Sequence, residues 1–198
     1  MCNKGPYVEI FVQGSVEQVD HFVDLLRNQP PRRAAVLKLD VKPVADACVY
    51  EGFSIAESKK TKGEIFVSPD IAICDDCKRE LFDPKNRRYL HPFINCTCCG
   101  PRMTILEALP YDRERTSMRE FPLCDACAHE YHDPTSRRYD AQPVCCNECG
   151  PVAYLVDRPE RGHDAIVEAR RIVAEGGVVA VKGIGGFPLC CDATNSQA

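Results

Sequence analysis

The chain has 198 residues, 14 of them cysteine, and 25 Lys and Arg stand against 29 Asp and Glu for a net charge of −4. Apolar residues make up 44% and charged residues 27%, a globular rather than a disordered composition. The acidic excess disfavours nucleic acid, whose binding rests on Lys and Arg neutralising phosphates, and no apolar run approaches the roughly 20 residues that cross a bilayer, so neither nucleic acid nor membrane is expected as a partner.

The opening stretch MCNKGPYVEIFVQG lacks the basic-then-apolar layout of a secretory signal. A cytoplasmic, reducing location is therefore expected, where clustered cysteines are metal ligands more often than disulfides. Residues 7–13, YVEIFVQ, are β-branched or aromatic and predict a strand. After Gly14 and Ser15, the residues Val19, Phe22, Val23 and Leu26 form the stripe of an amphipathic helix. Ser15 with Gln18 makes a capping box, and Pro30-Pro31 ends the helix. RAAVLKLDVKPV (33–44) alternates as a half-buried strand, FSIAES near residue 55 is a last strand, and SKKTKGE (58–64) is a polar linker. Strand, helix, strand, strand is half of a ferredoxin-like βαββαβ sandwich. A domain entered inside a hairpin lacks its first strand and helix, so the chain reads as truncated at its N-terminus.

The middle of the chain repeats at an offset of 50 residues without a gap: the segment from Ile73 aligns with the segment from Leu123. Cys74, Cys77, Cys96 and Cys99 map to Cys124, Cys127, Cys146 and Cys149, and Arg87-Arg88-Tyr89 maps to Arg137-Arg138-Tyr139. Each unit reads C-x2-C-x18-C-x2-C, a strong zinc signal, because two CxxC knuckles complete a tetrahedron of thiolates. Gly100-Pro101 and Gly150-Pro151 suit the tight turn after each second knuckle. Cys98 and Cys145 have no cysteine partner at this offset and are set aside as ligands.

Two pairings fit. The sequential one gives each repeat its own zinc. The nested one joins the outer knuckles (74/77 with 146/149) and the inner knuckles (96/99 with 124/127). Spacing alone does not choose, but the symmetric gaps of 18, 24 and 18 residues resemble the nested zinc domain of DnaJ-type chaperones and incline the reading to nested. Either way both sites are closed by four thiolates, which predicts two structural zinc ions rather than a catalytic one. Eight thiolates and two divalent ions would take the loaded chain to about −8. The Arg-Arg-Tyr triplets are expected to offset thiolate charge with their guanidinium groups and to pack a small core with their tyrosines.

Further on, Ile166, Ala169, Ile172 and Val173 share one face of a predicted helix, with Asp164 as its cap and Gly176-Gly177 as its stop. VVAVKGIGGF follows, a buried strand running into a Gly-rich turn with Lys182, Gly183, Gly185, Gly186 and Phe187. Such turns bring backbone N–H groups to an anion, although this one does not match the P-loop pattern.

Three features together carry a resemblance. Asn3 before a strand, followed by GS-VEQVDHFVDLLRN, PP and an alternating strand, looks like the C-terminal half of an acylphosphatase domain. Joined to two C-x2-C-x18-C-x2-C units, it resembles the HypF carbamoyltransferases of [NiFe]-hydrogenase maturation. KGIGGF-x-L-x-CDATN looks like the start of their YrdC-like domain, with Pro188 where family members usually carry His. The resemblance implies an α+β chain: a partial ferredoxin-like (acylphosphatase) sandwich at 1–60, a zinc-stapled two-repeat module at 61–156, and the beginning of an α/β YrdC-like domain at 157–198. It further implies that the whole enzyme hydrolyses carbamoyl phosphate, activates carbamate with ATP and carbamoylates the C-terminal cysteine of HypE. On that basis Asn3 orients water in acyl-phosphate hydrolysis, and Lys182, Gly183, Gly185, Gly186 and Phe187 belong to the nucleotide site. The phosphate-cradling Arg loop of the family would lie upstream of Met1, so little hydrolysis is expected from this chain alone.

The alternative is a DnaJ-like zinc-binding chaperone or interaction module without enzymatic activity. It would carry several glycines per knuckle, whereas here one follows each second knuckle and none follows the first. Cys2, Cys48, Cys190 and Cys191 lack metal spacing, and His21, His91, His129, His132 and His163 are read as structural.

Overall fold

The computed structural model describes residues 1–4, 6–31, 34–44, 49–56, 67, 70–183 and 185–198. The predicted linker at 58–64, the end of the FSIAES segment and Cys48 lie outside them. The chain forms two compact units, Met1–Phe66 and Val67–Ala198.

In the first unit, β1 (Cys2–Asn3) pairs antiparallel with β2 (Val8–Glu9), Cys2 opposite Glu9 and Asn3 opposite Val8. A single parallel bridge joins Cys2 to Ala56. Helix α1 (Val16–Asn28) opens on the predicted capping box: Gln18 N donates to Ser15 Oγ at 3.3 Å, and Ser15 N to Gln18 Oε1 at 3.0 Å. It stops before the two prolines, with Gln29 N donating to Leu25 O at 2.9 Å. The stripe Val19, Phe22, Val23 and Leu26 is half-buried. The strands are shorter than their sequence pattern suggests. Only Val8–Glu9 of residues 7–13 joins a ladder, and the described residues 34–44 form none. Alternation provides a face, but a strand also needs a neighbour's hydrogen bonds. Without one, Leu37 is 95% exposed and Val36 and Val41 are exposed beside it.

The second unit is built on the repeat. Helices α2 (Asp75–Phe82) and α3 (Asp125–His132) stand at equivalent positions, each starting directly after a knuckle cysteine. Asp75, Asp76 and Asp125 in the first turns complement the helix dipoles. Both helices end at an Asp-Pro step, where Asp83 Oδ1 accepts from Lys85 N and Asp133 Oδ1 from Thr135 N, each at 2.9 Å. The chain then turns back through Leu90 and Asp140, both at φ 52°, a left-handed conformation costing a non-glycine residue roughly 1 kcal/mol. Leu90 N donates to Leu81 O and Asp140 N to Tyr131 O, each at 2.9 Å, so both repeats recover a hydrogen bond there.

Between the repeats run short 3-10 turns at Met103–Ile105, Arg113–Arg115 and Ser117–Glu120. Arg113 fastens this segment to the second repeat, with Nη1 on the carbonyls of Gln142 (2.6 Å) and Val144 (2.8 Å) and Nη2 on that of Phe121 (2.7 Å).

The unit ends in α4 (His163–Ala174) and a hairpin of β3 (Val179–Ala180) and β4 (Leu189–Cys190). Gly162, not Asp164, is the cap residue of α4; Asp164 sits one residue inside the first turn, where its charge favours the dipole. The stop is as predicted. Gly176, at φ 86°, donates to Val173 O at 3.0 Å and Gly177 N to Ile172 O at 2.8 Å, the paired bonds of a Schellman motif.

Candidate metal centres

Cys74 caps α2 and Cys77 lies in its first turn; Cys96 precedes the 3-10 turn Thr97–Cys99 and Cys99 closes it. The chain between them doubles back through α2 and the Leu90 turn, which brings both knuckles of one repeat together. The second repeat does the same with Cys124, Cys127, Cys146 and Cys149. Within each set all four sulfurs lie within 4.8 Å of one another. The pairing is therefore sequential, which corrects the nested arrangement inferred from the symmetric gaps. The intervening segment, fastened by Arg113 to the second repeat, does not fold the inner knuckles onto each other.

A tetrahedron with metal–sulfur bonds of about 2.3 Å has sulfur–sulfur edges of about 3.8 Å. Cys74–Cys96 spans 3.6 Å, and Cys96–Cys99, Cys124–Cys146 and Cys146–Cys149 each span 3.8 Å. A disulfide would need about 2.05 Å. Four soft sulfurs in this arrangement suit zinc. The first site is wholly buried, while Cys124 and Cys149 of the second are half-buried.

Backbone donors reach the sulfurs as a thiolate site requires: Cys77 N to Cys74 Sγ at 3.4 Å and Cys74 N to Cys99 Sγ at 3.3 Å. Bonds from Cys77 and Cys99 drive the Cys96 thiol far down, and bonds with Cys96 and Cys99 drive that of Cys77 up. Burial alone would raise Cys124, yet the Cys127 N–H and Arg87 hold it at about 7.

The arginine triplets act across the repeats. Arg87 Nη2 donates to Cys127 Sγ at 2.7 Å and to Glu130 Oε2 at 3.0 Å. Arg88 reaches Cys127 Sγ at 3.3 Å, Glu130, and the carbonyl of Cys145 at 2.8 Å. In return Arg137 donates to Cys77 Sγ at 3.0 Å and to Glu80, and Arg138 to Glu80 and to the carbonyl of Asn95 at 3.2 Å. Cys127, Glu130 and Cys145 are replaced by Cys77, Glu80 and Asn95, each 50 residues earlier, so the two repeats face each other across a pseudo-twofold relation, imperfect at Arg138, which also reaches Glu130 of its own repeat at 3.4 Å. The buried members are Arg88 and Arg138, only 2% and 5% exposed, whereas Tyr89 and Tyr139 are half-buried and do not form the core. Burial would raise the Glu130 carboxyl, but Arg88, Arg138 and Arg87 hold it at about 2.

Glu80 and Glu130 are the functional residues that the cysteine spacing passes over; their signal was the same 50-residue offset inside the repeat. His91 stays out of both sites. It is 1% exposed, with Nδ1 2.9 Å from Asn147 Oδ1 and Nε2 3.1 Å from Cys145 Sγ. Burial pushes Cys145 up to about 12, which keeps it a thiol. Cys98 is exposed and lies outside both clusters.

The other predicted residues are members of neither cysteine cluster. Asn3 lies on β1, in the first unit. Lys182, Gly183, Gly185, Gly186 and Phe187 share one exposed turn between β3 and β4. Gly183 N donates to Gly186 O at 2.7 Å and Val181 N to Pro188 O at 2.9 Å, so the turn closes a hairpin rather than opening a helix.

Residues 73–106 and 123–156 match the HypF finger family, and residues 2–55 the acylphosphatase family. The chain carries an acylphosphatase-like segment followed by two HypF fingers, the layout of the N-terminal region of HypF proteins. The probable carbamoyltransferase HypF of Methanocaldococcus jannaschii is 49% identical over 194 residues, covering 96% of this chain and 25% of that protein. A crystal structure of full-length HypF in its phosphate- and nucleotide-bound form superposes with a TM-score of 0.76 at 43% identity, over 93% of this chain and 24% of that one. The HypF structure from T. kodakarensis gives 0.73 at 46% identity, over 98% and 25%. The chain thus spans about a quarter of the length of the HypF proteins it matches. Two HypF fingers, each a four-cysteine metal site, and an acylphosphatase-like segment account for most of it.

Proposed function

We propose that this chain supplies the acylphosphatase-like segment and paired fingers of a cytoplasmic HypF-type enzyme that uses carbamoyl phosphate and ATP to carbamoylate the C-terminal cysteine of HypE. The observation that carries this reading is the combination of both fingers with the acylphosphatase-like segment in one chain at 49% identity to a carbamoyltransferase HypF. In this reading each site holds a structural zinc, eight thiolates being compatible with a reducing compartment. Asn3 serves acyl-phosphate hydrolysis, and the Lys182–Phe187 turn forms one edge of a nucleotide site. The DnaJ-like alternative loses the support of nested pairing, since each repeat closes its own site.

A chimera tests the proposal: a relative's HypF with its corresponding quarter replaced by this sequence, assayed for carbamoylation of HypE by mass spectrometry. Carbamoyl transfer dependent on both ATP and carbamoyl phosphate is expected. A folded, metal-loaded chimera without transfer would overturn it.

A further inference from the structure

We propose that the two four-cysteine sites load their metals cooperatively, because each repeat supplies the guanidinium groups that neutralise the other repeat's thiolates. The inference rests on both sites taking a divalent metal, and it is carried by the crossed contacts. Four thiolates around a divalent ion leave a doubly negative centre, costly to bury without counter-charge. For the first site that charge comes from Arg137, at 3.0 Å from Cys77 Sγ and 3.7 Å from Cys74 Sγ. For the second it comes from Arg87, at 2.7 Å from Cys127 Sγ and 3.7 Å from Cys124 Sγ, joined by Arg88.

Each arginine pair lies on the 18-residue loop between the two knuckles of its own repeat. Metal in the second site ties the ends of the loop that carries Arg137 and Arg138. That loop, once closed, holds both side chains against Glu80 and the first site. Metal in the first site does the same for Arg87 and Arg88 toward Glu130 and the second site. Linkage makes the two effects equal: whatever one metal adds to the other's affinity is returned in full.

The test uses the whole 198-residue chain, stripped by chelator under reducing conditions and titrated with zinc under native mass spectrometry. Two equal, independent sites would leave about half the chains singly loaded at half saturation; tenfold coupling leaves about a quarter. A singly loaded fraction of a quarter or less is expected, and about half or more overturns the proposal. A chain that takes up no metal at all overturns the metal reading beneath it, a separate and recognisable result.

Thiol alkylation with peptide mapping then assigns direction. Arg137→Gln alters the second repeat, so local damage would expose Cys124, Cys127, Cys146 and Cys149 first. Crossed support predicts the reverse, with Cys74, Cys77, Cys96 and Cys99 alkylated several-fold faster. Arg137→Lys keeps the charge without the two-point fork and should give a smaller shift of the same kind, which covers the case in which the glutamine variant does not fold.

Discussion

Arg88 and Glu130 meet in a bidentate fork across 42 residues of sequence, Nη1 donating to Oε1 at 3.1 Å and Nη2 to Oε2. The guanidinium is almost wholly buried, while a quarter of the carboxylate side chain, 27%, remains exposed. Removing one partner of a fully buried pair costs roughly 3–5 kcal/mol, and partial exposure of the carboxylate reduces that. Glu130→Gln is therefore expected to destabilise the metal-loaded chain by about 2 kcal/mol in denaturant unfolding. Glu80→Gln should match it to within about 1 kcal/mol, since Glu80 receives Arg137 and Arg138 in the equivalent place. Loss at one glutamate only would show that the pseudo-twofold relation is geometric without being energetic.

The buried hydrophobic cluster of the second unit is Cys74, Cys77, Ile94, Cys96 and Cys99, with Ile73 and Leu81 against it. A core made largely of metal ligands has little apolar surface to bury, so metal binding and folding are linked. Chelation under reducing conditions should abolish cooperative unfolding of Val67–Ala198, and zinc should restore it. Serine at any one of the eight ligand positions should lower metal content, whereas Cys98→Ser should leave two ions per chain. Elemental analysis beside far-ultraviolet circular dichroism checks both.

The ligand set, helix α1 with its capping box and the Gly176 stop were legible because each is local: a spacing, a period, a terminal residue. Ligand pairing was not. The gaps of 18, 24 and 18 residues are symmetric under either pairing, and the choice depends on how the loop turns back at positive φ at Leu90 and Asp140; aspartate favours that conformation, but leucine in the same place of the other repeat does not, so the turn was not marked in both. The tyrosines of the triplets looked like core because they are aromatic, yet Arg88 and Arg138 took the buried places. An arginine is buried when a carboxylate and sulfurs wait for it, and that partner lies in the other repeat. Over the described residues 34–44 the predicted strand failed for the converse reason, an alternating face without a neighbouring ladder.

His91 gives the finger module an acid sensitivity of its own. Burial, with Arg88 and Arg87 nearby, pushes its imidazole down to about 4 from an ordinary 6.5. The unfolded chain binds a proton there below pH 6.5 and the folded chain does not. Its stabilising contribution is thus complete above 6.5 and is lost as pH falls toward 4. Between pH 7.5 and pH 5, wild type should lose about 2 kcal/mol more than His91→Gln. Thiolate protonation acts on both proteins and cancels in the difference. Equal slopes for the two proteins would mean that the imidazole is not held neutral.

Gly100 and Gly150 occupy the same place in the two repeats, directly after the last ligand, but they are required for different reasons. Gly100 sits at φ 72°, and a Cβ there would meet only the Ile71 side chain, at 3.3 Å. Its constraint is the backbone: with ψ 179° beside that φ, it lies in the extended positive-φ region open essentially to glycine alone, outside the left-handed helical region that asparagine tolerates. At Gly150 the constraint is space, since a Cβ would lie 2.9 Å from the carbonyl oxygen of Cys146 and 2.9 Å from Cys145 Sγ. No choice of side chain relieves that contact, because every one begins with the same Cβ. Gly100→Ala and Gly100→Asn should each cost roughly 1–3 kcal/mol, with no recovery by asparagine. Gly150→Ala and Gly150→Asn should both displace the Cys146–Cys149 knuckle and accelerate zinc release from the second site. Zinc transfer to a chromophoric chelator, followed for the four variants, checks both constraints: alanine and asparagine should act alike at each position, and recovery by asparagine at either would show that its limit is an ordinary left-handed turn after all.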